Sequence, residues 1–297
     1  MKLASPATNA TTRSALLRAG ISLLADAGIS NAENEAIWIL EAVLGTNRLA
    51  LRLEGHRTVT PRELDQVLEL FARRATREPL QYILGSQEFC GLELLVNRSV
   101  LIPRPETELL VEQVVQHKFG AMSPIIADIG TGSGCIAVAL ARALPTALLY
   151  ATDRSLAALR VAEDNAAQHG VKDRVRFLVG DLLEPLRTYS LEGKVAAVVS
   201  NPPYIPDREL ANLQPEVRAF EPRLALAGGV EGLEFHRRLL KDAAEFLAPD
   251  GLLVLEVGQG QARGLTEMTL EQGGYAQAVL IRDAAGIERV ACLQRIS

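Results

Sequence analysis

From position 123 to the C-terminus, short runs of apolar and β-branched residues alternate with stretches in which apolar residues recur every three or four positions. That alternation leaves few folds open, because strands separated by helices pair in parallel and are covered by helices on both faces. Strands are predicted near 124–128, 148–152, 174–179, 195–200, 251–257, 277–282 and 288–294, with helices near 133–143, 155–168, 234–247 and 261–272. Only a few residues around 284–286 join the last two strands, too few for a crossover, so one of that pair has to run antiparallel. The predicted core is an α/β sheet, mostly parallel, with one antiparallel strand near the C-terminus.

Sheets of this kind bind ligands at the carboxyl ends of their strands, and four successive predicted strand ends carry polar groups. The first is followed by Asp128, Ile129, Gly130, Thr131, Gly132, Ser133 and Gly134. Glycines at alternate positions between a strand and a helix let a ligand approach the backbone and let N–H groups point at it. A dinucleotide fingerprint of the form G-x-G-x-x-G needs its third glycine at position 135, where Cys135 stands, and a nicotinamide reading is weakened accordingly. Asp153 ends the second strand, placed to accept hydrogen bonds from two ribose hydroxyls; Asp181 and Leu182 follow the third, where an adenine ring would lie. A lone strand-end aspartate is as often a cap as a ligand. Four polar strand ends on one edge indicate a cleft.

The fourth strand runs into Asn201, Pro202, Pro203 and Tyr204. Two consecutive prolines fix φ and lack N–H donors, so the carbonyls of Asn201 and Pro202 look outside a ladder for partners. A side-chain amide or a base amine offers two N–H donors and a π face, which match the Asn201 oxygen, the Pro202 carbonyl and the Tyr204 ring. Alone, the tetrapeptide could equally be a strand-ending turn without chemistry. Following a glycine loop on the same edge, it marks the place where a planar nitrogen would be held.

Ahead of the sheet, residues 1–10 are expected to be a loose tail, and three helical patterns follow, ending near Gly28, at Gly45 and beyond Phe71. Thr60, Pro61 and Glu63 open the third with a capping-box spacing. Through Gly85 the segment holds ten basic and nine acidic residues, so it is no basic arm; it could stabilise the rest or dock a partner. Between Glu78 and Pro103, Gly85 and Gly91 punctuate short β-prone runs, which suggests a hairpin linker. The expected division is a helical, substrate-docking domain over 1–77, a β-hairpin linker over 78–103 and a catalytic domain over 104–297.

Composition excludes several classes. With 297 residues, 48% hydrophobic, 23% charged and a net charge of −5, the chain can bury a large core and lacks the basic excess that holding a nucleic-acid duplex requires. Cys90, Cys135 and Cys292 lie far apart and fit neither a disulfide framework nor a metal spacing. No run is long and apolar enough to span a bilayer and MKLASPATNA has no secretory h-region, so a cytoplasmic location is expected.

DIGTGSG, Asp153, the Gly180–Asp181 pair and NPPY resemble, in that order, the signature motifs of S-adenosylmethionine-dependent methyltransferases of the Rossmann-like class I. The subset with NPPY methylates planar nitrogens, either exocyclic amines of nucleobases or a glutamine amide. EPLQYILG, LIPRPETELLV, SNPPYIP and FEPRLALAGGVEGLEFHRRL are similar to the protein-(glutamine-N5) methyltransferases that act on peptide-chain release factors. The resemblance implies that Gly130, Thr131, Gly132, Ser133 and Gly134 cradle the methionine part of S-adenosylmethionine. It implies further that Asp153 holds the ribose and that Asp181 and Leu182 lie on the adenine side. Asn201 would bind both the cofactor edge and the substrate amide, with Pro202, Pro203 and Tyr204 completing the glutamine pocket; Asn201, Pro202 and Tyr204 would be the catalytic set. Arg104 and Glu106 would line or brace the cofactor site. The implied products are S-adenosylhomocysteine and a methylated glutamine in the Gly-Gly-Gln loop of a class 1 release factor, tuning translation termination, with no metal and no membrane partner. Three rivals stand beside this reading: a methyltransferase acting on an exocyclic amine of DNA or rRNA, a nicotinamide oxidoreductase, and a non-catalytic cofactor-binding scaffold.

Overall fold

Helix signals near the start of the chain translate directly into local structure in the computed structural model, which describes residues 11–120 and 123–296; the tail expected at 1–10 lies outside them. Helix α1 (Arg13–Asp26) is capped by Thr12, whose hydroxyl oxygen accepts from the Ala15 N–H at 3.2 Å. Helix α2 (Ala32–Leu44) stops at Gly45, which takes the left-handed conformation at φ 57°. After α3 (Arg48–Leu53), α4 (Pro61–Ala75) opens with the expected capping box: the Glu63 N–H donates to Thr60 Oγ1 and the Thr60 N–H donates to Glu63 Oε2. Leu16, Leu24, Ile37, Leu40, Val67 and Phe71 pack into one core. Gly20 admits the Phe71 ring, because a Cβ there would lie 2.1 Å from it.

One local expectation fails. Leu80–Leu84, read as part of a β-prone run, forms helix α5, with the Pro79 carbonyl accepting from the Tyr82 and Ile83 N–H groups. A five-residue run carries too little periodicity to separate strand from helix, and burial of Leu80, Tyr82 and Ile83 decides the matter. The helical elements through Leu84, joined by the distant segment Pro215–Phe220, form one compact unit, and Gly85–Gln214 with Glu221–Ser297 forms another. Within the first, Glu216 pairs with Arg74 at 3.1 Å and Arg77 at 2.8 Å.

The second unit begins with an antiparallel hairpin of β1 (Ser86–Phe89) and β2 (Leu92–Leu95). Its two-residue turn places Cys90 at φ 50° and Gly91 at φ 71°, the backbone that matches the twist of paired strands. Helix α6 (Glu108–Gln116) follows a short turn at Pro105–Thr107. The main sheet then assembles from β3 (Ile125–Ile129), β4 (Leu148–Asp153), β5 (Val175–Val179), β6 (Val195–Ser200), β7 (Leu247–Glu256), β8 (Val279–Arg282) and β9 (Glu288–Gln294) in the order β5-β4-β3-β6-β7-β9-β8. Helices α7 (Cys135–Ala143), α8 (Leu156–Gln168), α9 (Pro215–Phe220, the segment already met), α10 (Glu234–Phe246) and α11 (Ala262–Gln272) complete the order. Every predicted strand and helix of this region forms, and β9 is the strand that runs antiparallel to both neighbours.

Side chains alternate across the sheet. Ala197, Val199 and Val254 join the core that holds α6 and α7, while Val198, Leu253 and Leu255 join the core under α10 and α11. The chain builds outward from β3 through β4 to β5, then returns to start β6 on the other side of β3. This reversal leaves a cleft at the carboxyl ends of β3 and β6.

Candidate active site

A cavity opens at that reversal, walled by the loops after β3, β4, β5 and β6 and by the segment from Ser99 to Thr107. In the loop after β3, the Gly130 and Thr131 N–H groups both donate to the Thr152 carbonyl at 2.9 Å, which bends the chain away from the sheet. Gly130 and Gly132 have φ of 74° and 56°, and a Cβ at either would meet nothing within 4 Å. Their smallness leaves open space on the cavity side. Gly134 serves a different end: its Cβ would lie 2.9 Å from that of Ala162, so it lets α7 pack against α8, and it stands off the cavity wall. Beneath the loop, Asp128 is fully buried, with Oδ2 accepting from the Thr131 hydroxyl at 2.6 Å and the Ala137 N–H at 3.1 Å. Burial pushes its pKa up to about 7 against those two hydrogen bonds. Its Oδ1 and the Ser133 Oγ are buried without a partner.

Asp153 stands in the wall, its carboxylate fixed by the Gly132 N–H at 2.9 Å and the Ser155 N–H at 2.8 Å. Leu182 also lines the cavity. It holds a left-handed backbone at φ 48°, with its carbonyl taken by the Thr152 hydroxyl at 2.9 Å. Asp181 is brought to a different place: it lies outside the lining and its carboxylate pairs with Arg238 at 2.6 Å.

Asn201, Pro202 and Pro203 form the wall at the end of β6, whose last residue Ser200 donates its hydroxyl to the Ile129 carbonyl at 2.7 Å. Tyr204 is off the wall. Its hydroxyl donates to Glu256 Oε1 at 3.2 Å, and burial beside that carboxylate pushes its pKa up. Three glycines of other loops bracket the Pro203–Tyr204 backbone, since a Cβ at Gly228 or Gly232 would fall within 2.8 Å of its atoms and one at Gly258 would touch the Tyr204 ring at 3.0 Å. Gln261 closes the bracket by donating to the Tyr204 carbonyl at 2.8 Å and accepting from the Gly258 N–H at 2.9 Å.

On the opposite side, Arg104 lines the cavity and donates to the buried Glu221 at 2.5 Å, tying the LIPRPETE segment to FEPR. Glu106 is not in the wall, but its neighbour Thr107 is. Thr107 accepts from Asn201 Nδ2 at 3.1 Å and donates to Glu256 Oε2 at 2.6 Å. Sequence reasoning missed Thr107, Glu256, Glu221 and Gln261. Glu256 had a signal: it is the one acidic residue in the apolar run GLLVLEVG, at the same edge of the sheet as Asp153. Thr107 and Glu221 stand inside the quoted LIPRPETELLV and FEPRLALAGGVEGLEFHRRL stretches, where no spacing singles them out, and Gln261, at a helix start, has nothing to distinguish it.

Comparison with known proteins accords with this geometry. The family model of the PrmC N-terminal domain matches residues 15–85, and that of the methyltransferase small domain matches 105–215. The release factor glutamine methyltransferase of Geobacter sulfurreducens is 46% identical over 267 residues, covering 90% of this chain and 91% of the relative. That of Moorella thermoacetica is 43% identical over 94% of this chain and 96% of its own length. Among solved structures, the hMettl16 catalytic domain in complex with MAT2A 3'UTR hairpin 6 shares the fold at a TM-score of 0.55 and 20% identity, covering 76% of this chain and 81% of that one.

Proposed function

Because this chain belongs to the release factor glutamine methyltransferase family, we propose that it transfers a methyl group from S-adenosylmethionine to the side-chain amide nitrogen of the glutamine in the Gly-Gly-Gln loop of class 1 peptide-chain release factors. One observation carries the assignment of chemistry to this cleft. Asn201 turns its Nδ2 toward Thr107, and among the described residues no protein donor takes its Oδ1, so the amide oxygen and the Pro202 carbonyl remain for a ligand with two N–H donors.

The residues present suit the cofactor. Open space over Gly130 and Gly132 admits a ligand against the backbone; the partnerless Oδ1 of Asp128 and Oγ of Ser133 supply polar atoms beneath Gly130, Thr131, Gly132, Ser133 and Gly134. Asp153 would take the ribose, Leu182 the adenine face, and Asp181, through its pair with Arg238, the order of that loop. When bound, S-adenosylmethionine supplies a methyl group already activated by its sulfonium, so no metal is required.

An amide nitrogen is a poor nucleophile because its lone pair is shared with the carbonyl. Accepting both of its hydrogens at Asn201 and Pro202 raises electron density on the nitrogen and fixes it in line; positioning of this kind contributes up to ~7 to 11 kcal/mol. Pro203 stiffens the loop and Tyr204 anchors its far end. Access would be limited to a side chain flanked by small residues, which suits glycine neighbours. We assign the helical unit to gripping the folded partner, supported by Leu49 and Leu53, 65% and 70% exposed and one turn apart on α3. A cytoplasmic site of action goes with that substrate, and among the described residues no helix is long and apolar enough to cross a membrane.

Mass spectrometry of a release factor incubated with enzyme and cofactor should show one added methyl on that glutamine, absent after Gln→Ala replacement in the factor, and slower in the Leu49→Asp/Leu53→Asp enzyme. Methylation of DNA or rRNA with the release factor untouched would favour the nucleic-acid reading.

A further inference from the structure

An asparagine amide presents an oxygen on one side and an NH2 group on the other, and a half-turn about χ2 exchanges them. Exchanged, Asn201 would meet a substrate amide donor with a donor. Thr107 is placed to decide which arrangement holds. Its hydroxyl has a single proton, and the 2.6 Å contact commits that proton to Glu256 Oε2. Only lone pairs then remain for Asn201 at 3.1 Å, so the group facing Thr107 is the NH2 and the oxygen is turned the other way. The second oxygen of the same carboxylate takes the Tyr204 hydroxyl at 3.2 Å.

We propose that Thr107 and Glu256 are positioning residues for the methyl transfer: the ionised carboxylate of Glu256 orients the Thr107 hydroxyl, Thr107 orients the Asn201 amide, and Tyr204 is anchored by the same charge. This rests on the reading of Asn201 as the acceptor of the substrate amide.

The network is built for it. Thr107 and Glu256 are each 2% exposed, so water does not compete for their hydrogen bonds, and a buried carboxylate with two hydroxyl donors holds both in one direction. Glu256 is carried by β7 and Thr107 by the turn before α6, so the link joins the cavity wall at Thr107 to a strand behind it. Protonation would reverse the link: a neutral Glu256 has an O–H to donate to Thr107, whose own proton could then swing to Asn201 and favour the flipped amide. Burial pushes the Glu256 pKa up to about 7, with the Thr107 and Tyr204 hydroxyls lowering it, Glu106 raising it and Arg289 lowering it. From α10, His236 lies against the Glu256 backbone carbonyl, with Nε2 at 2.7 Å; burial lowers its pKa to about 4, so it stays neutral while Glu256 titrates. Asp283 binds Arg289 at 2.9 Å, and Arg104 bears on Tyr204. The productive arrangement is therefore the one above pH ~7.

The test uses the full chain and two kinds of readout. In the unliganded protein, the side-chain amide signal of Asn201, assigned by its loss in Asn201→Asp, should titrate with the Glu256 carboxyl signal in NMR spectra and should shift in Thr107→Val and Glu256→Gln but not in Thr107→Ser. In turnover, Thr107→Val should lower kcat about 10-fold or more, as expected for losing a charge-assisted link. Thr107→Ser should restore it to within about threefold, cofactor Kd should move less than about twofold in both, and Glu256→Gln should lose the acidic limb of the kcat profile. An Asn201 signal unmoved by pH and by Glu256→Gln overturns the proposal whatever the activities are, and it does so even where Thr107→Val fails to fold. Failure of the wild type to methylate a release factor would instead strike the functional assignment, because the NMR readout needs no substrate.

Discussion

Asp153 and Glu256 both end strands at the carboxyl edge of one sheet, yet the first stands in the cavity wall while the second is sealed behind it at 2% exposure. Their donors differ as well. Asp153 is held by two backbone N–H groups, from Gly132 and Ser155, whereas Glu256 is held by two hydroxyls, from Thr107 and Tyr204. A backbone N–H has one fixed direction, so the Asp153 carboxylate is a rigid fixture with its remaining lone pairs offered to a ligand. A hydroxyl turns about its C–O bond. The charge on Glu256 can therefore be felt one residue further out, at Asn201, and on the proposed reading a carboxylate at the same edge serves binding in one place and orientation in the other.

That contrast can be broken at several points. The largest effect is expected from Asn201→Ala, which should cut turnover at saturating cofactor by about 100- to 1,000-fold, the range for removing a preorganised group that acts in the transition state, while cofactor affinity changes little. Equal losses in calorimetric affinity and turnover would make Asn201 a cofactor ligand and erase the division of labour. Asp153→Ala should do the reverse, weakening cofactor binding by ~10- to 100-fold, which corresponds to charge-assisted hydrogen bonds worth ~1.5 to 3 kcal/mol, with kcat nearly kept once cofactor saturates. An unchanged dissociation constant would take Asp153 out of the site.

A third test concerns stability against pH. Burial raises the pKa values of Glu256 and Asp128 to about 7 from the ordinary carboxylate values of 4.5 and 3.8. The native state thus binds more protons than the unfolded chain between those limits. Their contribution to stability is full below the unfolded values and is lost as pH rises through about 7. Denaturant melts from pH 5 to pH 8 should show wild-type stability falling across this window, with a shallower fall in Glu256→Gln and in Asp128→Asn. Parallel curves for wild type and Glu256→Gln would mean that Glu256 does not titrate there. If the network acts as argued, activity and stability respond in opposite senses to the same proton.

The strand-helix alternation after position 123 made the sheet readable because burial on both faces demands continuous apolar strands, and strand-end Asp153, Leu182 and Asn201 could be placed on one edge from their positions alone. The five-residue run at Leu80–Leu84 escapes the sequence reading because it is shorter than the window of about 11 residues over which helical periodicity can be recognised. Pro215–Phe220 offered no sign that it packs with helices more than a hundred residues earlier; the ion pairs of Glu216 with Arg74 and Arg77 do that, and pairing across such a separation leaves no local periodicity.

The sequence by itself determined the fold class, the glycine loop and the polar residues at the strand ends, since these follow from backbone freedom, periodicity and order along the chain. Only the tertiary structure decided which of those residues face the cavity. It turned Asp181 to Arg238, set Gly134 against Ala162, moved Tyr204 behind the wall, and linked Asn201 to Glu256 through Thr107. The physical reason is that a hydrogen bond depends on the meeting of two atoms within about 3 Å and in one direction. For Thr107, Asn201 and Glu256, that meeting is arranged by three elements whose positions in the chain say nothing of their distance in space.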